Sequence, residues 1–312
     1  MHVILFNPLS TSPGKQPLPL SLMALAAVLE GRHEWTLVDG NLVGDPALRI
    51  LEIVRETRGS SILAVTVMPG PQLTQAVRVC RRVRSEAADL PIVWGGYFPT
   101  QHTDVVLAAP CVDFVIRSQG EAPLVELITA LDRGGPLDTI GGLSWKERGR
   151  IVHNALRAPT PPDELPDAPY HRVRMDQYIH RDYLGSRTIA HSSSFGCPFA
   201  CSFCAVVAMS NRRWLAQSPA RLERVLSHLV RRYRVDAVQM HDMDFFISEP
   251  RTAELSDRIA PLGLAWWGLG RVDTLMHYGD ATWRLMRRSG LRMIFSGAES
   301  GSDETLARMN KG

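Results

Sequence analysis

The chain has 312 residues, 45% of them hydrophobic, which is ample for more than one packed core and makes two domains the expectation. Its net charge of +3 is small, and the arginine pairs 81–82, 212–213, 231–232 and 287–288 are scattered over helix-like faces, so no nucleic-acid partner is expected. No apolar run reaches the roughly 18 residues of a membrane span, and the chain opens directly on the strand-like HVILF, so a cytoplasmic protein without a transmembrane segment is expected.

From Met1 to about Leu131, β-branched runs alternate with helix-like stretches, the pattern of a parallel sheet covered by helices. The predicted strands are His2–Asn7, Glu34–Asp39, Ser61–Val67, Pro91–Gly95 and Asp113–Arg117. Helices are predicted near Leu18–Glu30, Pro46–Thr57, Gln72–Ala88, Thr100–Ala109 and Ala122–Asp132, where apolar residues recur three and four positions apart. Such units form a Rossmann-like or flavodoxin-like open sheet, with its ligand crevice at the carboxyl ends of the strands. Those ends are rich in small and polar residues, and they nominate Asn7, Asp39, Thr66, Gly95, Gly96, Gly120 and Glu121 as cofactor contacts. Ordinary strand-to-helix turns are the alternative for any one of them. A nicotinamide dinucleotide is not expected, because NPLSTSPG follows the first strand where G-x-G-x-x-G would be required.

Residues 134–186 contain Gly-Gly pairs, a predicted hairpin around Lys146–Arg150 and the stretch APTPPDELPDAPY, and read as an extended connector between domains 1–133 and 187–312. From Arg187 a second alternation begins. Strands are predicted at Thr188–Ser193, Ala237–His241, Ala265–Leu269 and Met293–Gly297, with helices at Pro219–Tyr233, Glu249–Ala260, Asp280–Arg288 and from about Asp303. Four β/α units imply part of a barrel, with chemistry at the carboxyl ends of its strands, and no closing element follows, so a truncated barrel is expected.

The five cysteines suit metal binding or catalysis better than a disulfide scaffold, since Cys197, Cys201 and Cys204 cluster while Cys80 and Cys111 stand apart as small buried hydrophobes. In SFGCPFACSFCAV the three follow C-x3-C-x2-C spacing just after a strand. Three thiolates on one tight loop can ligate three irons of a 4Fe-4S cubane and leave the fourth iron open. A structural zinc site would want a fourth ligand and paired C-x2-C knuckles, which are not evident.

This loop, with aromatic Phe203 before its last cysteine, resembles the radical S-adenosylmethionine (radical SAM) superfamily. The resemblance implies that S-adenosylmethionine chelates the open iron and that Phe203 flanks its adenine. HDMDFF resembles the acidic-aromatic motif of the cobalamin-binding branch and places Asp242 near the ligand. GLGRVD places Arg271 toward the S-adenosylmethionine carboxylate, and FSGAESGSDETLARMNKG places Glu299 at its methionine or ribose portion. Each also has a structural reading: Asp242 as a helix cap, Arg271 in a surface ion pair, Glu299 as partner of a basic side chain. PLPLSLMALAAVLE and VWGGYFPTQHTDVVLAAPCVDFVIRSQGEAPLVELI resemble the cobalamin-binding domain of the same branch. The D-x-H-x-x-G motif of other cobalamin folds is missing, so cobalamin is expected without a protein histidine beneath cobalt.

The resemblance thus implies an α/β protein in which a Rossmann-like cobalamin-binding open sheet precedes a partial radical SAM barrel. The implied cofactors are a 4Fe-4S cluster, S-adenosylmethionine and cobalamin, and the implied activity is a methyltransferase acting on an unactivated centre. A small-molecule or lipid substrate and an external electron donor such as flavodoxin or ferredoxin are expected partners. The alternatives are an oxidative cyclase of the bacteriochlorophyll ring-forming type and a truncated, non-catalytic cofactor-binding fragment.

Overall fold

A computed structural model describes residues 1–311, which divide into two compact units, residues 1–160 with 166–173 and residues 161–165 with 174–311. The first unit is built on a seven-stranded sheet of β1 (His2–Asn7), β2 (Trp35–Asp39), β3 (Ser61–Thr66), β4 (Ile92–Gly95), β5 (Phe114–Ile116), β6 (Leu143–Glu147) and β7 (Arg150–His153), in the order β2-β1-β3-β4-β5-β6-β7. The first five strands are parallel, and β6 and β7 join antiparallel at the edge. Parallel strands are apolar on both faces because helices cover each side. Alternate residues therefore enter different cores: Ile4 and Phe6 pack with Leu63, Val65 and the helices Pro46–Glu56 and Pro71–Glu86, while Val3 and Leu5 pack with Ile62, Ala64 and the helices Leu20–Leu29 and Glu121–Arg133. The order 2-1-3-4-5 is that of the flavodoxin-like doubly wound sheet, whose direction of winding reverses between β1 and β3.

The expected fold class is the observed one, with two local corrections. The expected helix Thr100–Ala109 is two short helices, Tyr97–Gln101 and Thr103–Ala108, which meet at His102 with φ −124°. There the Thr103 hydroxyl donates to the Pro99 carbonyl at 2.9 Å. The stretch 134–186 is not one connector. Its hairpin extends the sheet of the first unit, where Leu143 and Trp145 complete a core face, and the segment after it carries the short 3-10 turns Pro162–Glu164, Tyr170–Arg172 and Met175–Gln177. A hairpin with an apolar face buries that face on any available sheet edge, which proline density nearby does not reveal.

The second unit holds a parallel sheet of β8 (Thr188–His191), β11 (Ala237–Met240), β12 (Ala265–Leu269) and β13 (Leu291–Phe295), in the order β13-β12-β11-β8, beside a two-stranded antiparallel ribbon of β9 (Ser194–Gly196) and β10 (Trp214–Ala216). Helices Pro219–Tyr233, Glu249–Ile259 and Asp280–Arg288 make the crossovers. Two of them start on a serine cap: Ser218 accepts from the Arg221 N–H and Ser248 from the Arg251 N–H, each just before a Pro-containing first turn. Phe245, Phe246 and Trp266 form the buried centre, with the Phe245 and Phe246 rings 5.0 Å apart. The four strands make an open part of a β/α barrel. No helix among the described residues is long and apolar enough to cross a membrane.

Candidate functional site

In the second unit the loop that carries the three cysteines is fixed at its base by glycine. Gly196, the last residue of β9, has φ +79° and lies opposite Trp214 of β10. A Cβ there would stand 2.2 Å from the Arg213 carbonyl oxygen and 2.5 Å from Ser210 Cβ, so only glycine lets the ribbon close and Cys197 leave it at this angle. The Cys204 N–H donates to the Cys201 carbonyl at 3.1 Å, tightening the loop between the last two thiols.

All three cysteines are free and half-buried. Burial pushes the Cys197 thiol up, and the neighbouring charges of Asp244, Cys204 and Cys201 add to that. Among the described residues no group of three or more His, Cys, Asp or Glu side chains is drawn into a ready-made metal cage. The donor set nevertheless suits an iron–sulfur cluster: three soft thiols on an eight-residue loop, free of disulfides, with a cation beside the middle one.

That cation is Arg271, which is only 8% exposed. Its Nη1 donates to Cys201 Sγ at 3.5 Å, its Nε and Nη2 bind the Asp273 carboxylate, and Nη2 also reaches the Lys311 carbonyl at 2.8 Å. The guanidinium carbon lies 3.9 Å from the centroid of the Phe199 ring, inside the same loop. The Asp273 hydrogen bonds raise the Arg271 pKa, and the same contact lowers that of Asp273. In the structure Arg271 makes an ion pair, itself buried while the Asp273 side chain is half-exposed, and braces the cysteine loop.

Chain segments distant in sequence clasp this loop. The Ser202 N–H donates to the Met309 carbonyl at 2.9 Å, and Asn310 Nδ2 donates to the Ala200 carbonyl at 2.9 Å. Lys311 pairs with Glu299 at 3.0 Å and lies 5.8 Å from the centroid of Phe203, whose ring is 53% exposed. Cys201, Phe203, Arg271 and Glu299 are therefore linked through Lys311 and the loop, a connection from Met309–Lys311 that sequence reasoning missed.

Asp242 lies elsewhere. It is fully buried, and its carboxylate accepts from the Ser193 N–H at 3.0 and 3.2 Å, from the Ser193 hydroxyl at 2.8 Å and from the Ser194 hydroxyl. Arg251, half-buried against the Trp214 and Phe245 rings, donates to the same Ser193 hydroxyl at 2.8 Å. Asp242 thus shapes the turn between β8 and β9 from which the cysteine loop departs. It is not a helix cap. Asp244, two residues on, went unremarked in the sequence; burial pushes its carboxyl up to about 7.

In the first unit the crevice residues form a polar scaffold at the β1/β3 switch. Asn7 Nδ2 donates to Asp39 at 3.1 Å, and Gln72 Nε2 donates to Asn7 at 3.2 Å. Asp39 also receives the Asn41 N–H, while Asn41 and Gln75 hold the N–H groups of Ser10, Thr11 and Leu9. Asn7 and Asp39 are buried and engaged in shaping the loop after β1; Gln72 and Gln75 were not foreseen, since a glutamine at a helix start carries no sequence signal of burial.

Thr66 faces Ser21, with their hydroxyls 3.2 Å apart. Gly96 has φ +96°, and a Cβ there would stand 3.2 Å from both Thr66 Oγ1 and the Val67 carbonyl oxygen, so the crevice floor stays low. Gly95 has more room, its nearest neighbour to a Cβ being the Ile116 carbonyl at 3.6 Å, and at Gly120 a Cβ would lie 3.3 Å from Leu25. Glu121 opens the helix Glu121–Arg133; burial pushes its carboxyl up, against the lowering effect of its own and the Gly120 N–H. A low, glycine-lined floor with small polar walls suits a broad planar cofactor.

A B12-binding domain family model matches residues 8–128. An uncharacterized methyltransferase of Pyrococcus horikoshii, PH0819, is 28% identical over 298 residues, covering 94% of this chain and 63% of that protein. An anaerobic magnesium-protoporphyrin IX monomethyl ester cyclase of Synechocystis is 26% identical over 325 residues, covering 100% of this chain and 64% of the relative. The chain thus spans less than two thirds of each of these relatives. The solved cobalamin-dependent S-adenosylmethionine radical enzyme OxsB, with aqua-cobalamin and S-adenosylmethionine bound, shares the fold at a TM-score of 0.83 and 21% identity, over 100% of this chain and 45% of that one.

Proposed function

We propose that this chain belongs with the radical S-adenosylmethionine proteins that carry a B12-binding domain and is a cobalamin-dependent methyltransferase acting on an unactivated carbon or phosphorus centre of a small molecule or lipid, a reading supported by the B12-binding match and the similarity to PH0819 and OxsB. The observation that carries this reading is the braced loop of Cys197, Cys201 and Cys204 in one unit together with a B12-binding domain in the other.

When bound, the 4Fe-4S cluster with S-adenosylmethionine supplies a carbon-centred radical, and cobalamin supplies a transferable methyl group. Cys197, Cys201 and Cys204 hold the cluster. Arg271, beside Cys201 Sγ, offsets thiolate charge there and keeps the loop in place through Phe199. Asp242 keeps the turn before the loop in register by holding both serines. The exposed Phe203 ring offers a face to the adenine, and Glu299, on the residue φ of +60° that turns it back toward Lys311, serves the methionine or ribose portion. In the first unit Thr66, Gly95, Gly96, Gly120 and Glu121 border the cobalamin face, while Asn7 and Asp39 hold the loop beside it. An external one-electron donor such as flavodoxin or ferredoxin would reduce the cluster.

A second reading is an oxidative cyclase, favoured by the full-length match to the Synechocystis cyclase. Anaerobic reconstitution of the chain with iron, sulfide, cobalamin and S-adenosylmethionine should produce 5′-deoxyadenosine; methyl-labelled S-adenosylmethionine leaves label in a methylated product but not in a cyclised one. Cys201→Ala is expected to abolish both the cluster absorbance and 5′-deoxyadenosine. Its survival would overturn the ligand assignment.

A further inference from the structure

Successive residues of β11 and β12 face opposite ways. Val238, Met240 and Trp266 are buried on one face, whereas Gln239 and His241 are half-buried on the other, where Gln239 lies in register with Trp267. His241 follows the last residue of β11, so it stands at the carboxyl end of the parallel sheet, the end at which β8 leads toward the cysteine loop. The His241 and Trp267 ring centroids are 5.2 Å apart, and Trp267 meets the exposed Phe295 ring edge-on at 5.0 Å.

A chain of side chains fixes which nitrogen of His241 carries the proton. Asp182 Oδ1 accepts from the Leu184 and Gly185 N–H groups at 2.8 and 3.2 Å and from the Thr188 hydroxyl at 2.6 Å, and its Oδ2 accepts from Gln239 Nε2 at 2.8 Å. A carboxylate only accepts, so the Gln239 amide turns its NH2 toward Asp182 and its oxygen away. That oxygen, Oε1, lies 3.1 Å from His241 Nε2. It has no proton to give, so Nε2 is the protonated nitrogen and Nδ1 keeps a lone pair. Burial lowers the His241 pKa against the pull of Asp242, which favours the neutral ring. Nδ1 has no hydrogen-bond partner among the described residues.

A second polar group on this face is also unmatched. Trp267 is 7% exposed, and its indole N–H is buried without an acceptor among the described residues, near the hydroxyl of the exposed Tyr183. Folded proteins rarely leave such a donor open unless a ligand or water completes it. One fixed acceptor and one open donor thus share a face of aromatic rings. We propose that this face binds the substrate, a neutral planar ring system bearing a hydroxyl or N–H group, with Trp267 and Phe295 against the rings and His241 Nδ1 accepting the hydrogen bond that orients them. This rests on the function proposed above, because a radical generated at the cysteine loop needs a substrate held at the same end of the sheet. An anionic group would meet the His241 lone pair, and a cationic one would find Asp182 already engaged by four donors, which leaves a neutral donor as the match.

The test uses the full chain, anaerobically loaded with iron and sulfide, and two probes that share one ring system: 2-naphthol, which carries a donor, and 2-methoxynaphthalene, which does not. Equilibrium dialysis measures both, with iron content, thermal midpoint and 5′-deoxyadenosine formation followed on the same preparations. The wild-type chain should bind 2-naphthol about 3- to 10-fold more tightly than its methyl ether. His241→Phe keeps a ring beside Trp267 and removes the acceptor; it should erase that preference at unchanged iron content while binding 2-methoxynaphthalene as the wild type does. His241→Leu should erase the preference too, which covers the case of a phenylalanine variant that folds poorly. A wild-type chain that binds neither probe or both alike, or variants that keep the preference, overturns the assignment alone. A wild-type chain that shows the preference yet forms no 5′-deoxyadenosine upholds the binding face and overturns the proposed function.

Discussion

Replacing Asp242 by alanine tests whether the turn beneath the cysteine loop is held by one buried carboxylate. The substitution leaves the buried Ser193 N–H without an acceptor, about 1–3 kcal/mol by itself. It also removes the charge that offsets half-buried Arg251, whose pKa burial lowers and Asp242 raises. The Ser193 and Ser194 hydroxyls can turn to other acceptors, so they add little. Together the loss should be about 4 kcal/mol. Asp242→Asn retains an acceptor for Ser193 and should cost about 1–2 kcal/mol. Urea unfolding of the apo chain, with hydrogen exchange of the Ser193 amide read by mass spectrometry, gives both quantities, and the alanine variant should lose protection at Ser193 first. A loss below about 1 kcal/mol with Ser193 still protected would refute this account of the turn.

Asp244 makes stability depend on pH in a defined sense. Its carboxyl rises from 3.8 to about 7 on folding, so the native state retains a proton that the unfolded chain releases. Stability contributed by this group is therefore complete below about pH 4 and falls as pH rises toward 7, by about 4 kcal/mol in all; Asp244→Asn should lack that slope, and parallel pH profiles for the two apo proteins would contradict it. Gly196→Ala combines a left-handed φ of +79° with a Cβ 2.2 Å from the Arg213 carbonyl. It should cost about 3 kcal/mol or more and lower iron loading, with thermal midpoint and iron content as the measurements. Gly96→Ala raises the crevice floor beside Thr66 and Val67; it should weaken hydroxocobalamin binding, followed by visible absorbance, while iron content stays at the wild-type level.

Much of the architecture was legible because it is written in local periodicity. β1, β12 and the helices Pro219–Tyr233 and Asp280–Arg288 have the predicted bounds, since a strand buried on both faces and an amphipathic helix each leave a repeating apolar pattern in neighbouring residues. The cysteine loop stands out for the same reason: three cysteines within eight residues suggest their chemistry by spacing alone. The ribbon of β9 and β10 was not, because each strand is three residues long and its pairing joins Gly196 to Trp214 across the intervening loop.

What only the tertiary structure decided is which polar groups are already engaged. Asp242 and Asp244 sit two residues apart in one acidic-aromatic motif, and nothing local distinguishes them. The contacts of Asp242 come from Ser193 and Ser194, nearly fifty residues earlier. The contacts that brace the cysteine loop come from Arg271 and Met309–Lys311, well beyond it in the chain. A side chain's chemistry is a property of its residue type, but its charge, burial and available lone pairs depend on neighbours brought together only when the strands stack side by side.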